Sequence, residues 1–166
     1  MRDAAALLEP HIPALRRYAF ALTRDHNAAD DLVQDTLERA LRRWSGRGDT
    51  MRPWLFAVLH NLFVDGVRAR RRRPLHGSLD EHEAGAAVAP GQDGAMISRD
   101  VLAQFGALSD EHQAVLLLVA VEGLSYVDVS TVLGIPVGTV MSRLSRAREA
   151  FRRLLDGERV GLRRVK

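Results

Sequence analysis

Three groups of polar side chains recur at helical spacing, and their types suit recognition better than catalysis. Val140, Leu144, Ala147 and Phe151 fall at i, i+4, i+7 and i+11, an apolar stripe that has to face a core. Thr139, Ser142, Arg143 and Arg146 lie on the other side of the same stretch, near its start. Hydroxyls and arginines at the entering end of a helix match a DNA major groove, where a guanidinium can fork onto guanine. A solvated amphipathic surface would carry the same residues. Leu133-Gly134-Ile135-Pro136 directly before them supplies a turn between helices and shifts the balance towards DNA. A second stripe, Asn61, Asp65, Arg68 and Arg72, repeats at i, i+4, i+7 and i+11. Asparagine can read a base edge and arginine can grip phosphate, although a solvated face with an Asp65–Arg68 pair accounts for it as well. The third group is acidic: Asp30, Asp31, Gln34, Asp35 and Glu38 share the outer face of one helix. Such a face repels DNA and suits a basic protein partner, while the macrodipole at a helix start explains part of the cluster.

Other chemistry is excluded by what the 166 residues lack. Without cysteine there is no disulfide framework, thiolate zinc site, iron–sulfur cluster or thiol nucleophile. The histidines at 11, 26, 60, 76, 82 and 112 never take the i, i+4 spacing that sets two imidazoles on one helical face. No metal, cofactor or small-molecule substrate is expected. An enzyme built on Asp30, Asp31, Asp35 and Glu38 would need inward-facing carboxylates with a histidine partner, a pattern that is missing. The longest apolar run, 114–121, has 8 residues against the roughly 20 that span a bilayer. The first residues lack a basic-then-apolar export pattern, so a cytoplasmic protein without membrane insertion is expected.

The polar groups need helices to position them, and no stretch shows strand alternation or a Gly-rich phosphate loop. Helices are expected over 11–23, over 28–44 with Asn27 as cap, and over a long segment from Pro53 to Arg70–Arg73. In the second half Ser98, Ser109 and Ser125 are candidate caps, Gly123 and Gly134 are stops, and a last helix runs over 137–155. Between the halves, PLHGSLDEHEAGAAVAPGQDGAMI has two Pro, four Gly and little periodicity, the composition of a linker. The expected fold is all-α: a helical domain over 1–73, a flexible acidic linker over 74–97 and a helix-turn-helix domain over 98–166. The net charge of +3 conceals this division, with +5 over 1–73, −8 over 74–135 and +6 over 136–166. Of the 24 basic residues 23 are arginine, so two basic blocks flank an acidic middle. Two nucleic-acid surfaces would give that distribution, and so would a GC-rich genome that favours arginine codons.

Taken together, the blocks resemble a known family. Ala29-Asp30-Asp31-Leu32-Val33-Gln34-Asp35-Thr36, Trp54-Leu55, Asn61 and Asp65-Gly66-Val67-Arg68 are similar to region two of the sigma-70 family. Glu122-Gly123-Leu124-Ser125-Tyr126, Leu133 through Val140, and Ser142 through Arg148 are similar to region four, in the extracytoplasmic-function (ECF) group. The resemblance implies a dissociable subunit that binds core RNA polymerase and directs it to promoter DNA. It implies that Asp30, Asp31, Gln34, Asp35 and Glu38 dock on the polymerase clamp. The loop over 45–51, with Arg47 and Asp49, and the helix bearing Asn61, Asp65, Arg68 and Arg72 would engage the melted −10 element. Ser125, Thr139, Met141, Ser142, Arg143, Ser145 and Arg146 would meet the −35 element. The acidic linker would thread the channel that later carries RNA, and an anti-sigma factor would hold the protein inactive. Two positions depart from the pattern. Many relatives carry Lys or Arg where this chain has Met141, and the strand-opening loop is poor in aromatics, with Trp44 and Trp54 assigned to the core. Melting would then rest on base capture more than on stacking, which normally contributes about 1–3 kcal/mol per base.

Two rival classes keep part of the pattern. A response regulator could end in residues 108–155, but it would need an α/β receiver where residues 1–73 read as helices. A two-headed binding protein that never touches polymerase is separated by a pull-down with core enzyme. The linker composition makes a direct prediction. Limited proteolysis should cut first within 74–97 and leave two resistant helical fragments; first cuts within 28–73 or 109–155 would refute the division.

Overall fold

The computed structural model describes residues 2–44, 50–72 and 99–163, and every regular element among them is helical. The expected linker, Ser98, and Arg47 and Asp49 of the expected loop lie outside these residues. The chain opens with α1 (Arg2–Leu8), a 3-10 turn (Glu9–His11) and α2 (Ile12–Thr23). Pro10 and Pro13 do not break this segment, because each falls in the first turn of its element, where a missing N–H removes no helical bond. Arg24 ends α2 in the left-handed region at φ 59°, its N–H donating to the Phe20 carbonyl at 2.8 Å.

Helix α3 (His26–Arg42) starts earlier than the sequence suggested. The Asp25 carboxylate, not Asn27, caps it by accepting from the Ala28 N–H at 2.6 Å. Ala29, Val33, Thr36 and Ala40 form its buried stripe. Leu37 is half-buried, and so is Trp44, which the sequence assigned to the core, because the helix ends at Arg42 before Trp44 can join the stripe. Helix α4 (Met51–Arg72) buries Met51, Leu55, Phe56, Val58 and Leu59. The Phe56 ring meets Tyr18 edge-on, with centroids 5.4 Å apart.

The second half holds α5 (Arg99–Gly106), α6 (Asp110–Leu116), α7 (Tyr126–Leu133) and α8 (Val137–Arg163). Ser109 and Ser125 cap α6 and α7 as expected, accepting from the His112 and Asp128 N–H groups at 3.4 and 3.1 Å. Helix α6 leads into a single wide π turn over Leu117–Val121, closed by the Glu122 N–H on the Leu117 carbonyl at 2.8 Å. Helix α8 runs to Arg163, beyond the expected end at residue 155.

One apolar core runs through both halves. Leu15, Tyr18, Leu55 and Leu59 belong to the same buried cluster as Val115, Leu118, Val129 and Val140. Helices α2, α3 and α4 pack together, as do α6, α7 and α8, and α4 against α7 and α2 against α6 join the two groups. The sequence left the relation of the halves open; in this structure they form one body.

Gly134 sets the angle between α7 and α8 from the left-handed region at φ 65°, with nothing within 4 Å of where a Cβ would stand. Gly134→Ala therefore meets no clash and costs only its backbone conformation, about 1–2 kcal/mol. Urea unfolding should register that loss; an unchanged midpoint would refute it.

Candidate nucleic-acid interface

Three polar faces and one seam account for the sequence-derived candidates. On α8, Val140, Leu144 and Ala147 are buried, which fixes the helix's rotation. Met141, Ser142, Ser145 and Arg146 then face solvent, and Thr139 is half-buried. Ser142 donates to the Thr139 carbonyl at 3.2 Å, and Arg146 Nε donates to the Ser142 carbonyl at 3.3 Å. Met141, 53% exposed, borders a shallow cleft of about 260 Å³ together with Tyr126, Ser145, Arg148 and Arg152. Ser125 is exposed, but its hydroxyl is engaged at the start of α7, where it also donates to Asp128 Oδ2 at 2.8 Å.

Arg143 behaves differently from its expected neighbours. Only 19% of its side chain is exposed, and it pairs with Glu111 at 3.4 Å. On a helical wheel it flanks Val140 and Ala147, on the side where α6 packs against α8. The expectation that Arg143 and Arg146 stand side by side in solvent is thus corrected: Arg146 is exposed, and Arg143 is largely covered and paired with Glu111 of α6.

On α4, Asn61, Asp65, Arg68 and Arg72 are all exposed, so the second stripe is a continuous solvent face. Arg72 Nε donates to the Arg68 carbonyl at 3.3 Å. On α3, Asp30, Asp31, Gln34, Asp35 and Glu38 are exposed as expected. Asp30 is paired with Arg16 at 2.8 Å, and Glu38 faces Arg42 at 3.7 Å and accepts from Gln34 at 3.2 Å. Asp31 and Asp35 form no ion pair among the described residues, which leaves them as the available charges of this face. Among the described residues no cluster of three or more His, Asp or Glu could hold a metal. No single helix among them is long and apolar enough to cross a membrane.

The comparisons with known proteins follow the same division. Residues 8–60 match the sigma2 domain of PhyR, and residues 98–151 match the sigma-70 region 4 family. The ECF RNA polymerase sigma factor SigL of Mycobacterium tuberculosis is 40% identical over 158 residues, covering 91% of this chain and 88% of that protein. The chain belongs to the ECF sigma factors. EcfG of Rhodopseudomonas palustris, another ECF sigma factor, is 35% identical over 87% of this chain and 80% of its own. Among solved structures, the sigma factor RpoE in complex with the anti-sigma factor NepR from Bartonella quintana superposes with a TM-score of 0.77. It is 31% identical and covers 94% of this chain and 98% of that one. CnrH in complex with the cytosolic domain of CnrY gives a TM-score of 0.66 at 25% identity, over 94% of this chain and 89% of its own.

In this sigma factor, sequence reasoning missed the residues that join its halves. Glu122, with 1% of its side chain exposed, accepts from Arg17 Nε and Nη2 at 2.8 and 2.9 Å and from Arg52 Nη2 at 3.0 Å. The hydrogen bond to Glu122 pushes the Arg17 pKa above its ordinary value. Beside it, Arg24 Nη2 donates to the buried Gln113 amide oxygen at 2.9 Å, while the Gln113 nitrogen donates to the Leu108 carbonyl at 2.7 Å. Glu122 stood in the sequence only as part of a turn motif. Its one signal was a lone carboxylate between Val121 and Gly123, at the end of the longest apolar run.

His60 lies in the same seam, facing Tyr18 of α2, whose hydroxyl is 3.0 Å from Nδ1, and Arg143 of α8, which is itself paired with Glu111. Burial, aided by the Arg143 charge, lowers its pKa from 6.5 to about 4. The unfolded chain takes up this proton first as pH falls. Stability from His60 is therefore complete above pH 6.5 and declines towards about pH 4. At most about 3 kcal/mol is involved. His60→Gln should flatten the pH dependence of urea stability between pH 6.5 and 5, before most carboxylates titrate; the same slope in both proteins would refute the assignment.

Proposed function

We propose that this sigma factor divides promoter reading between its halves, with residues 1–73 serving core polymerase and the −10 element and residues 98–166 serving the −35 element. The observation that carries this reading is the start of α8. A left-handed Gly134 and the following Ile135-Pro136 project Ser142, Ser145 and Arg146 from a helix whose opposite face is fixed in the core. In a major groove those side chains, Met141 and, once exposed, Arg143 face base edges, with Thr139 and Ser125 towards the backbone. The face of Asn61, Asp65, Arg68 and Arg72 meets the opened −10 strand, aided by Arg47 and Asp49. Asp31, Gln34 and Asp35, flanked by Asp30 and Glu38, dock on the clamp of core polymerase. The protein acts in the cytoplasm, without cofactor or small-molecule substrate. The likeness to RpoE bound to NepR, over nearly the full length of both chains, supports control by an anti-sigma factor that binds this fold.

Separate variants test the three faces. Arg146→Ala should cost roughly 1–3 kcal/mol of −35 duplex affinity and relax preference at one base pair. Asn61→Ala should leave duplex binding intact and impair strand opening. Reversing Asp31 and Asp35 to lysine should weaken core polymerase binding while changing stability by under about 0.5 kcal/mol. A promoter-variant panel scored for closed-complex affinity and opening, with a core-binding titration, reads all three. Identical defects from Arg146→Ala and Asn61→Ala, or unchanged core affinity in the double reversal, would overturn the division.

A further inference from the structure

Helix α8 presents one side chain whose chemistry differs from that of its exposed neighbours. Met141 stands in the second turn, open to solvent, beside Ser142 and Ser145 on a face of hydroxyls and guanidiniums. A single exposed apolar side chain is ordinary on a protein surface. The position of this one is not ordinary, because both of its core neighbours are fixed. Val140 before it and Leu144 one turn after it are buried, so the direction in which Met141 leaves the core is set. Each residue turns the helix by about 100°. Ser142 therefore occupies the middle of the exposed face and Met141 its edge on the side of α7, where it shares a cleft with Tyr126. Tyr126, Val127 and Met141 are all exposed, so the helix-turn-helix carries apolar surface at the starts of both its helices.

The major groove offers a thioether one favourable partner. Guanine, adenine and cytosine present hydrogen-bonding groups there, and thymine alone adds a methyl group beside its acceptor. Methionine has no donor and only a weakly accepting sulfur, so against the first three bases it would strip water from polar atoms and return nothing. Against thymine it buries apolar surface on both sides of the contact. Methionine's flexible stem also lets the sulfur and terminal methyl adapt to a partner of fixed position. Arg148 and Arg152 continue the Met141 stripe at i+7 and i+11 and are exposed in the same cleft. A strand running beside α8 would meet these guanidiniums with its phosphates while a base edge reached Met141.

We propose that Met141 is a specificity-determining residue that contacts the 5-methyl group of one thymine in the −35 element and selects T·A at that base pair. This rests on the reading of α8 as the helix that enters the −35 major groove. The selection has two parts: an apolar gain with thymine, and an uncompensated loss of hydration with each of the other bases. A cation at the same position would invert the preference, because a lysine ammonium donates to the O6 and N7 acceptors of guanine.

The test uses the holoenzyme of core polymerase and this sigma factor, on promoter duplexes that it selects from a random library. Each −35 thymine is replaced singly by deoxyuridine, which removes the methyl group and keeps the hydrogen-bonding edge. One such replacement should weaken closed-complex affinity by roughly three- to fivefold, the worth of one buried methyl group. Met141→Gln keeps the length of the side chain and, at a site 53% exposed, leaves the fold intact; it should bind the thymine and deoxyuridine duplexes equally. Met141→Lys should move the preference at that base pair from T·A to G·C. If base-pair changes in the −35 element weaken binding but no deoxyuridine does, the methyl contact is overturned and the −35 reading stands. A deoxyuridine effect that persists in Met141→Gln gives the methyl to another residue and overturns the role of Met141. A loss of core-polymerase affinity in that variant would then assign the exposed side chain to a protein contact. Base-pair changes without effect anywhere in the −35 element overturn the −35 reading itself.

Discussion

Taking a carboxylate out of water costs several kcal/mol unless charged donors replace the lost hydration. Glu122 is almost completely enclosed, so its position obliges two guanidinium groups from the other half of the chain to be present. Arg17 approaches as a planar fork that engages both carboxylate oxygens, and Arg52 adds a second donor to Oε2, an arrangement that lysine could not reproduce with the same geometry. With α2 and α4 bound to that point, α7 packs against α4. A single acidic side chain at the end of a turn thus ties α2 and α4 to the second half of the chain.

The apolar core and the polar seam serve different purposes in this arrangement. Leu15, Leu55, Leu59, Val115, Val129 and Val140 exclude water and hold each helix's rotation, but apolar contacts alone would allow the halves to slide. The hydrogen bonds of Glu122 and Gln113 select one register, because any shift would leave an enclosed polar atom without a partner. No buried side-chain nitrogen or oxygen lacks a partner among the described residues, so that selection is complete.

Much of each half could be read from the chain. The apolar spacing of Val140, Leu144 and Ala147, the serine caps at 109 and 125 and the stop at Gly134 all act within a turn or two of sequence, where periodicity and capping chemistry are decisive. Local rules also explain the small misses: Asp25 outcompetes Asn27 because its carboxylate reaches the Ala28 N–H, and Trp44 falls beyond the end of α3. The solvent face of Asn61, Asp65, Arg68 and Arg72 was legible for the same reason. Arg143 was not, because its partner Glu111 lies 32 residues earlier, on another helix. Glu122 was not, because its partners lie 105 and 70 residues earlier and no local pattern marks them.

The π turn at Leu117–Val121 gives the region before Glu122 an unusual sensitivity to length. It accommodates one residue more than an α-helix would over the same span, which is why Val121 points to solvent and Glu122 points inward. Loss of a single residue there would restore ordinary helical hydrogen bonding and improve the local backbone. It would also rotate the carboxylate by about 100°, the angle per residue of an α-helix, and turn it away from both arginines. Insertions and deletions in that short stretch would thus act as a phase shift. Two chains with nearly the same helices could differ in whether their halves are joined at this point, through the count of residues between two helices rather than through any change in the exposed polar faces.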